Sequence, residues 1–407
     1  MSCTNISVPV SDLEQILNSL KSDLLDFFSG KIRTLDQAER TLLTVLSNSL
    51  TDILKVYLQN LDQSLLLDKS KRKALGLTVE RKHCRRSVLT SVGALDFERT
   101  YYKKKDGSYV FALDELVGLE KYQRISDSVE NKIVSAARSM SYSRSCDVIA
   151  NGMVSSRTVC SKIRQCVPSF PIVERRSVPV IHVDADEDHV KLQNGRGAMV
   201  YLASVYEGLD HNGSRGICRN CWHKAEFRKS ADDFWEELIT EIERRYDLRY
   251  TKIYLHGDGA AWIKKGLEWL PNSTYVLDRF HVTQAVARIV SGIDDWQVKK
   301  SYQRVLHMAL REDNKELLIQ AVDSLVDQYP GRSEVAYKNL HYLLDNYPAI
   351  QIWRVDAEAR NGGASEPHVS HVLSARLSSR PMAWSERTLK SFAPILAADD
   401  FRIIKAS

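Results

Sequence analysis

Val178-Pro179-Val180-Ile181-His182-Val183-Asp184-Ala185-Asp186-Glu187-Asp188-His189-Val190 is the stretch whose reading decides the fold. It begins as a β-branched run, the composition of a buried strand, and passes directly into carboxylates. Along a strand the side chains at 184, 186 and 188 share one face. Gathering such carboxylates away from water is costly without cations, so the pattern points to metal ligands. An acidic turn in solvent is the rival reading.

Downstream, Val190-Lys191-Leu192 and Met199 to Tyr206 read as two further strands, with Asn194-Gly195 as a hairpin signal. Trp235, Leu238, Ile239 and Ile242 mark an amphipathic helix, and Lys252 to Leu255 and Thr274 to Leu277 are strand-like. Three strands, helix, strand, helix, strand is the order of an RNase H-like domain. From Thr283 to about Tyr347 apolar residues recur at helical spacing, as in Leu306, Ala309 and Leu310, which reads as an all-helical insertion. Gly362 and Gly363 interrupt the pattern before another helix that begins near Glu366.

Upstream, Pro168 and Pro171 mark a domain boundary. Leu13, Ile16, Leu17, Leu20 and Leu24, then Leu42, Leu46, Leu50, Ile53, Tyr57 and Leu61, predict two amphipathic helices suited to packing or self-association. From Ser87 to Ala112 short alternating runs with Asp106-Gly107 as a turn predict a small β-meander, whose Arg99 and Lys103 to Lys105 could reach a phosphate backbone. A helix from Ser126, a shorter one over Tyr142 to Ala150, a turn at Asn151-Gly152-Met153 and a helix over Ser156 to Cys166 fit a helix-turn-helix. Its DNA-contact candidates are Arg144, Ser156, Arg157, Thr158, Lys162 and Arg164. A plain three-helix packing unit fits the same spacing.

The expected chain is therefore an α+β multidomain protein: an N-terminal helical region (1–80), a small β-rich segment (81–125), a helix-turn-helix region (126–170), an RNase H-like α/β core (171–282), a helical insertion (283–355) and the rest of the core (356–407). Its 407 residues, 43% hydrophobic, allow sizeable cores. The net charge of +5 is uninformative, but sixteen Lys and Arg against nine Asp and Glu lie between Arg81 and Val167, a candidate nucleic-acid footprint. No run of apolar residues suits a membrane span and Met1 to Val10 lacks a signal-peptide layout, so a cytoplasmic protein is expected. Seven scattered cysteines argue for reduced thiols.

Three acids fall where a strand or helix end would present them to one site: Asp186, Asp258 and Glu366. Asp258 ends the apolar run Ile253-Tyr254-Leu255-His256-Gly257 and is flanked by glycines, although a strand-end Asp often caps the next helix. Glu366, in Ser365-Glu366-Pro367-His368, takes its weight from company, since a Glu at a helix start commonly serves the dipole. Such acids suit two Mg²⁺ ions, with Mn²⁺ as a substitute, driving an in-line phosphodiester displacement. Asp188 is a supporting acid or an outward-facing one. Arg376 and Arg380 are candidate phosphate contacts, with a solvated helix face as the alternative. Cys218-Arg219-Asn220-Cys221-Trp222-His223 has a C-x-x-C spacing but no second ligand pair in sequence, so it is read as a connecting loop rather than a zinc site.

With these residues in view, the chain resembles DDE transposases of the Mutator-like superclass, and within them the ISLre-type insertion-sequence transposases. The matching passages cover most of the chain: Ala185-Asp186-Glu187-Asp188-His189-Val190; Gly257-Asp258-Gly259-Ala260-Ala261-Trp262; Leu277-Asp278-Arg279-Phe280-His281; and Ser365-Glu366 with His368 to Ser385. The resemblance implies that Asp186, Asp258 and Glu366 bind the catalytic metals and that a helical insertion separates the last two. It favours Asp186 over Asp184 as the first acid, with Asp184 in reserve, and puts His281 near the scissile phosphate or against a metal-bound carboxylate. It further implies binding of the element's terminal repeats and target DNA, a homo-oligomer on DNA, no membrane, and a bacterial cytosolic, nucleoid-associated location. Pro367 stands where a small residue is expected, and Pro367 to Ser407 is a shorter tail than the resemblance implies. A truncated or domesticated non-catalytic DNA-binding copy, and an RNase H-like structure-specific nuclease, are the alternatives.

Overall fold

The computed structural model describes residues 10–30, 33–171, 173–212, 215–227, 229–363 and 365–404. They form an α+β protein in two compact units: the residues up to Ala136 with Ser143–Ser155, and Ala137–Tyr142 with Ser156 onward. No helix among the described residues is long and apolar enough to cross a membrane.

The first unit opens with α1 (Val10–Ser29) and α2 (Leu35–Leu67). Thr34 caps α2, and Gln37 returns a bond to the Thr34 backbone, so two otherwise orphaned N–H groups are satisfied. After α3 (Lys69–Ala74), strands β1 (Thr78–Thr90), β2 (Gly93–Lys103) and β3 (Tyr109–Phe111) make the antiparallel meander, which begins earlier than the sequence pattern suggests. Helices α4 (Ala112–Val117), α5 (Asp127–Ala137) and α6 (Tyr142–Ala150) follow. Leu58 and Leu61 of α2 pack against Val88, Leu95 and Phe97 of the sheet. Buried Asp62 accepts from the Thr100 amide and hydroxyl at 3.0 and 2.6 Å, which ties α2 to β2. Arg99 is buried rather than available to phosphate: it pairs with Asp114, which also takes Arg86 at 2.6 Å, and lies over the Phe111 ring. Leu43, Leu46, Leu50, Ile53 and Tyr57 remain exposed on α2 in three- and four-residue steps.

The second unit takes the chain from α7 (Ser156–Ile163). The compact division thus falls within the expected helix-turn-helix, not at Pro168 and Pro171. The cause is local. Arg164 donates to Thr388 and Ser385 at 2.9 and 3.2 Å, and β4 (Cys166–Ser169) pairs with the last strand.

The main sheet contains β5 (Val180–Lys191) and β6 (Gly197–Tyr206); then come a two-stranded ribbon, β7 (Leu209–Asn212) and β8 (Arg215–Cys218), and the third sheet strand β9 (Trp222–Phe227). Helix α8 (Ala231–Arg245), strand β10 (Lys252–Gly257), short helices α9 (Ala261–Lys264) and α10 (Gly266–Trp269), and strand β11 (Ser273–Leu277) complete the layer. The strand order is β11-β10-β5-β6-β9, with β5 parallel to β10 and antiparallel to β6. Two expected strands merge, since β5 runs unbroken through the acids to Lys191. Of Cys218 to His223, expected to be a connecting loop, 219–221 is the turn after β8, while Trp222 and His223 already belong to the third sheet strand.

Alternation along β5 divides its neighbours. Ile181, Val183 and Ala185 enter a core with Phe234, Trp235, Leu238 and Ile242 of α8. His182, on the other face, stacks between Tyr206 and Tyr254 and bonds His256 at 3.0 Å. Helices α11 (Arg279–Ile289), α12 (Trp296–Arg311), α13 (Lys315–Gln328), α14 (Ser333–Asp345) and α15 (Tyr347–Val355) build the expected helical block around Val286, Leu306, Val322, Leu340 and Leu343. The chain returns to the sheet through α16 (Ser365–Val369), a π-helical turn over Ser370–Ser374, α17 (Ala375–Leu377) and α18 (Glu386–Ala397), ending in β12 (Asp400–Ile403).

Burial pushes His182 down to about 4, against a weaker opposing pull from Glu358, and pushes His256 well below the usual histidine range. Below the ordinary histidine pKa of about 6.5 the unfolded chain therefore binds protons that the folded chain refuses, so acidification weakens the fold. Each such histidine contributes at most about 1.4 kcal/mol per pH unit between about 6.5 and 4. Urea unfolding followed across that window should show a steeper loss of stability in the wild type than in His182→Phe. Equal slopes would refute the assignment.

Candidate active site

The parallel register of β5 and β10 pairs His256 with Asp184. β10 ends at Gly257, and Asp258, two residues past His256, therefore comes alongside Asp186, two residues past Asp184. Both carboxylates line one pocket of about 550 Å³, together with Glu187, Asp188 and His281. The glycines around Asp258 have separate physical reasons. A Cβ on Gly257 would meet Ile263 at 2.7 Å, whereas Gly259 has φ +98° and lies against Asn346 of the helical block.

The Asp258 carboxylate accepts from the Ala260 amide at 2.8 Å, and its backbone carbonyl accepts from Tyr342 of α14 at 2.5 Å. The helical block thus holds the loop that carries Asp258. Asp186 accepts from the Glu187 amide at 2.8 Å. Glu187 receives the Trp262 indole N–H at 2.6 Å, yet burial raises its pKa; burial also raises that of Asp188, which accepts from Ser378 at 2.8 Å. Raised carboxyl pKa values in a polar pocket mark a place where cations would be welcome.

Asp184 lies outside this pocket. It is buried, accepts from the Tyr206 hydroxyl at 2.9 Å and from the Gly363 amide at 3.2 Å, and approaches His368. Asp186, not Asp184, accompanies Asp258. His281 stands in the first turn of α11, which Asp278 caps through the Phe280 amide. Its Nε2 is buried and has no hydrogen-bond partner among the described residues, as suits a group awaiting a ligand.

Glu366 belongs to α16, and its side chain lies outside the described residues. The residues just before it are held at two points. Gly363 donates to Asp184, and Ser365 donates to Asp278. Val369 and Ser370, three and four positions further on, line the pocket of Asp186 and Asp258.

The other candidate side chains divide. Arg376 is a correction: it is buried, donates to the Ala137 carbonyl at 2.8 Å, and sits within about 5 Å of the Tyr142, Trp384 and Phe392 rings, so it organises a core instead of meeting phosphate. Arg164 is another, since Thr388 and Ser385 occupy its guanidinium. Arg380, Arg144, Ser156 and Arg157 are exposed, whereas Thr158 and Lys162 are half-buried.

A second pocket, of about 970 Å³, is not anticipated by the sequence patterns above. Arg279, Lys300, Arg304, Arg311, Arg354 and Arg360 line it with His307 and Trp353, and among the described residues no carboxylate does. Asp313 pairs with Arg354 at 2.8 Å, and Arg279 lies over the Trp353 ring. The signal is present in α12, where Lys300, Arg304, His307 and Arg311 follow the helical repeat. α11 joins the two pockets, because Arg279 and Thr283 line the basic one while His281 and Gln284 line the acidic one.

The sequence profile of the uncharacterised protein family UPF0236 matches residues 32–403. A UPF0236 protein of Caldanaerobacter subterraneus subsp. tengcongensis is 33% identical over 349 residues, covering 84% of this chain and 73% of that protein. Another from the same strain, whose name joins a string of loci of that genome, is 32% identical over 351 residues, with 84% and 73% covered. A UPF0236 protein of Streptococcus gallolyticus, named for its position in a vanSb 3′ region, is 25% identical over 393 residues, covering 91% of this chain and 84% of its own length. On the extent of these matches, the chain belongs to the UPF0236 family.

Proposed function

We propose that this protein is a metal-dependent DDE transposase of an insertion sequence, of the ISLre type, which cuts the element's terminal repeats and joins them to target DNA. The observation that carries the reading is the meeting in one pocket of Asp186, midway along β5, and Asp258, just past the end of the adjacent parallel strand β10. Numbered in chain order, the five sheet strands lie in the order 5-4-1-2-3, with the first antiparallel to the second and parallel to the fourth, as an RNase H-like core requires. A relative whose name spans many loci of one genome is what a self-copying element leaves behind.

Asp186, Asp258 and Glu366 would hold the divalent ions, and the hard carboxylate donors suit Mg²⁺ or Mn²⁺. Bound there, two such ions would activate water or a 3′-hydroxyl and stabilise the leaving oxygen. The chain's own residues supply the positioning. Tyr342 and Ala260 fix the Asp258 loop, Asp278 and Asp184 hold the backbone into Glu366, and His281 offers its unpartnered Nε2 to a phosphate oxygen. The basic groove beside α11 suits the flanking phosphodiester backbone, with Trp353 as a surface for a base or sugar. The exposed apolar seam of α2 supports self-association, which synapsis of two DNA ends demands.

With labelled terminal-repeat DNA and Mg²⁺, the wild type should nick element ends, and Asp258→Ala should lose at least about 10²-fold in rate, the scale of removing one preorganised electrostatic group. Cutting that persists in the variant would overturn the mechanism. Binding without cutting by the wild type would favour a non-catalytic copy, and selective cutting of branched DNA a structure-specific nuclease. Replacing Lys300 and Arg304 together by Ala should weaken DNA binding and flatten the slope of log affinity against log salt by about 0.9 for each phosphate left unneutralised. An unchanged slope would remove the groove from the DNA path.

A further inference from the structure

We propose that Cys218, Cys221, His223 and His368 form a four-ligand structural site for a borderline-soft divalent metal, zinc by preference, separate from the carboxylate pocket. The C-x-x-C pair that lacks partners in sequence gains them in space. The sulfurs of Cys218 and Cys221 and a ring nitrogen of His368 all lie within 4.8 Å of one another. Cys218 Sγ is 3.5 Å from His368 Nε2, and Cys221 Sγ is 3.8 Å from His223 Nε2. Zinc bonds to sulfur and imidazole nitrogen imply a sulfur–nitrogen edge of about 3.6 Å in a tetrahedron. The two histidine rings meet edge to face, with centroids 5.3 Å apart, which sets His223 beside the three-residue group as the candidate fourth ligand.

The other ring nitrogens have polar neighbours. His223 Nδ1 is hydrogen-bonded to the Ser204 hydroxyl at 2.7 Å, whereas His368 Nδ1 faces an Asp184 carboxylate oxygen at 3.6 Å, an ion-pair separation longer than a hydrogen bond. A carboxylate behind a ligating imidazole orients the ring and raises its basicity. This assigns Asp184 a task that its exclusion from the acidic pocket leaves open. The turn between the cysteines is preformed: Asn220 adopts φ +52°, and its amide donates to Glu207 at 2.7 Å. Paired thiolates select zinc over magnesium, so the two centres would not compete for one ion.

The ligands come from the β8–β9 turn and from α16, two residues beyond Glu366. The metal would therefore clasp the helix that carries the third acid to the central sheet. That consequence rests on the proposed transposase reading; the metal site itself does not.

The full chain, purified without chelator or histidine tag, should carry one zinc per molecule by mass spectrometry. Exchange into cobalt(II) should give the visible bands of a tetrahedral ion and a thiolate-to-cobalt charge-transfer band. Asp184→Asn and His223→Gln should each lower zinc affinity by about 10- to 100-fold, and Asp258→Ala should leave it unchanged. The cobalt spectrum of the wild type decides the matter even if a ligand variant fails to fold. Zinc removal should accelerate amide exchange over residues 365–369 but not in α8. Folded protein with less than about a tenth of an equivalent of zinc and no charge-transfer band would overturn the site, as would a Cys218–Cys221 disulfide in the freshly purified chain. Unchanged exchange over 365–369 would overturn the clasp. Stoichiometric zinc in a chain that cuts no DNA would sustain this site and reject the transposase.

Discussion

Parallel pairing of β5 with β10 is the constraint on which the rest depends. Asp186 and Asp258 are 72 residues apart in the chain, and only the in-register ladder from Val180–Lys252 to Asp184–His256 brings them side by side. That ladder is held from one face by α8, whose Phe234, Trp235 and Leu238 are fully buried against Ile181, Val183 and Leu255. A one-residue slip would turn every β5 side chain to the opposite face, burying the acids in that core and exposing the valines. The hydrophobic pattern therefore sets the geometry of the carboxylates as firmly as any bond made to them.

The opposite face is polar and is closed by the returning chain. His182 and His256 stack there under Gly362, where a Cβ would collide with His256 Nε2. Gly363, Ser365 and His368 then meet Asp184, Asp278 and the Cys218 sulfur in turn. Further on, Arg376 anchors the segment within three aromatic rings. Burying a guanidinium is costly, but the Ala137 carbonyl and the ring faces compensate for its lost water. The helix bearing Glu366 is thus fastened on both sides, while the pocket it borders keeps its unpaired polar groups.

Periodicity alone locates much of this. The strand leading into the acids, the strand ending just before Asp258, the long helices α1 and α2 and the helical block after Thr283 all follow from spacing and composition. Where local pattern misleads, long-range pairing decides. Val190-Lys191-Leu192 looks like a new strand because the intervening acids read as a turn, yet pairing of Asp184–Asp188 with β6 carries the strand straight through. Cys218 to His223 reads as a connecting loop, yet pairing with β6 makes a strand that starts at Trp222 and runs to Phe227. Arg99, Arg164 and Arg376 look available because a lone arginine gives no hint of the Asp114 carboxylate, the Thr388 hydroxyl or the aromatic cage that awaits it.

By itself the sequence determined that this is an α+β chain with an acidic segment, a glycine-flanked aspartate and a helical block, because local periodicity and backbone preference are written residue by residue. It also carried the basic repeat of α12, legible once looked for. Only the tertiary structure decided that Asp186 rather than Asp184 joins Asp258 in one pocket, that six scattered cations line one groove, and that His368 lies against a C-x-x-C pair 147 residues earlier in the chain. Those assignments depend on which side chains end up across from one another. Strand register and helix return set that, through burial of apolar surface far from the groups concerned.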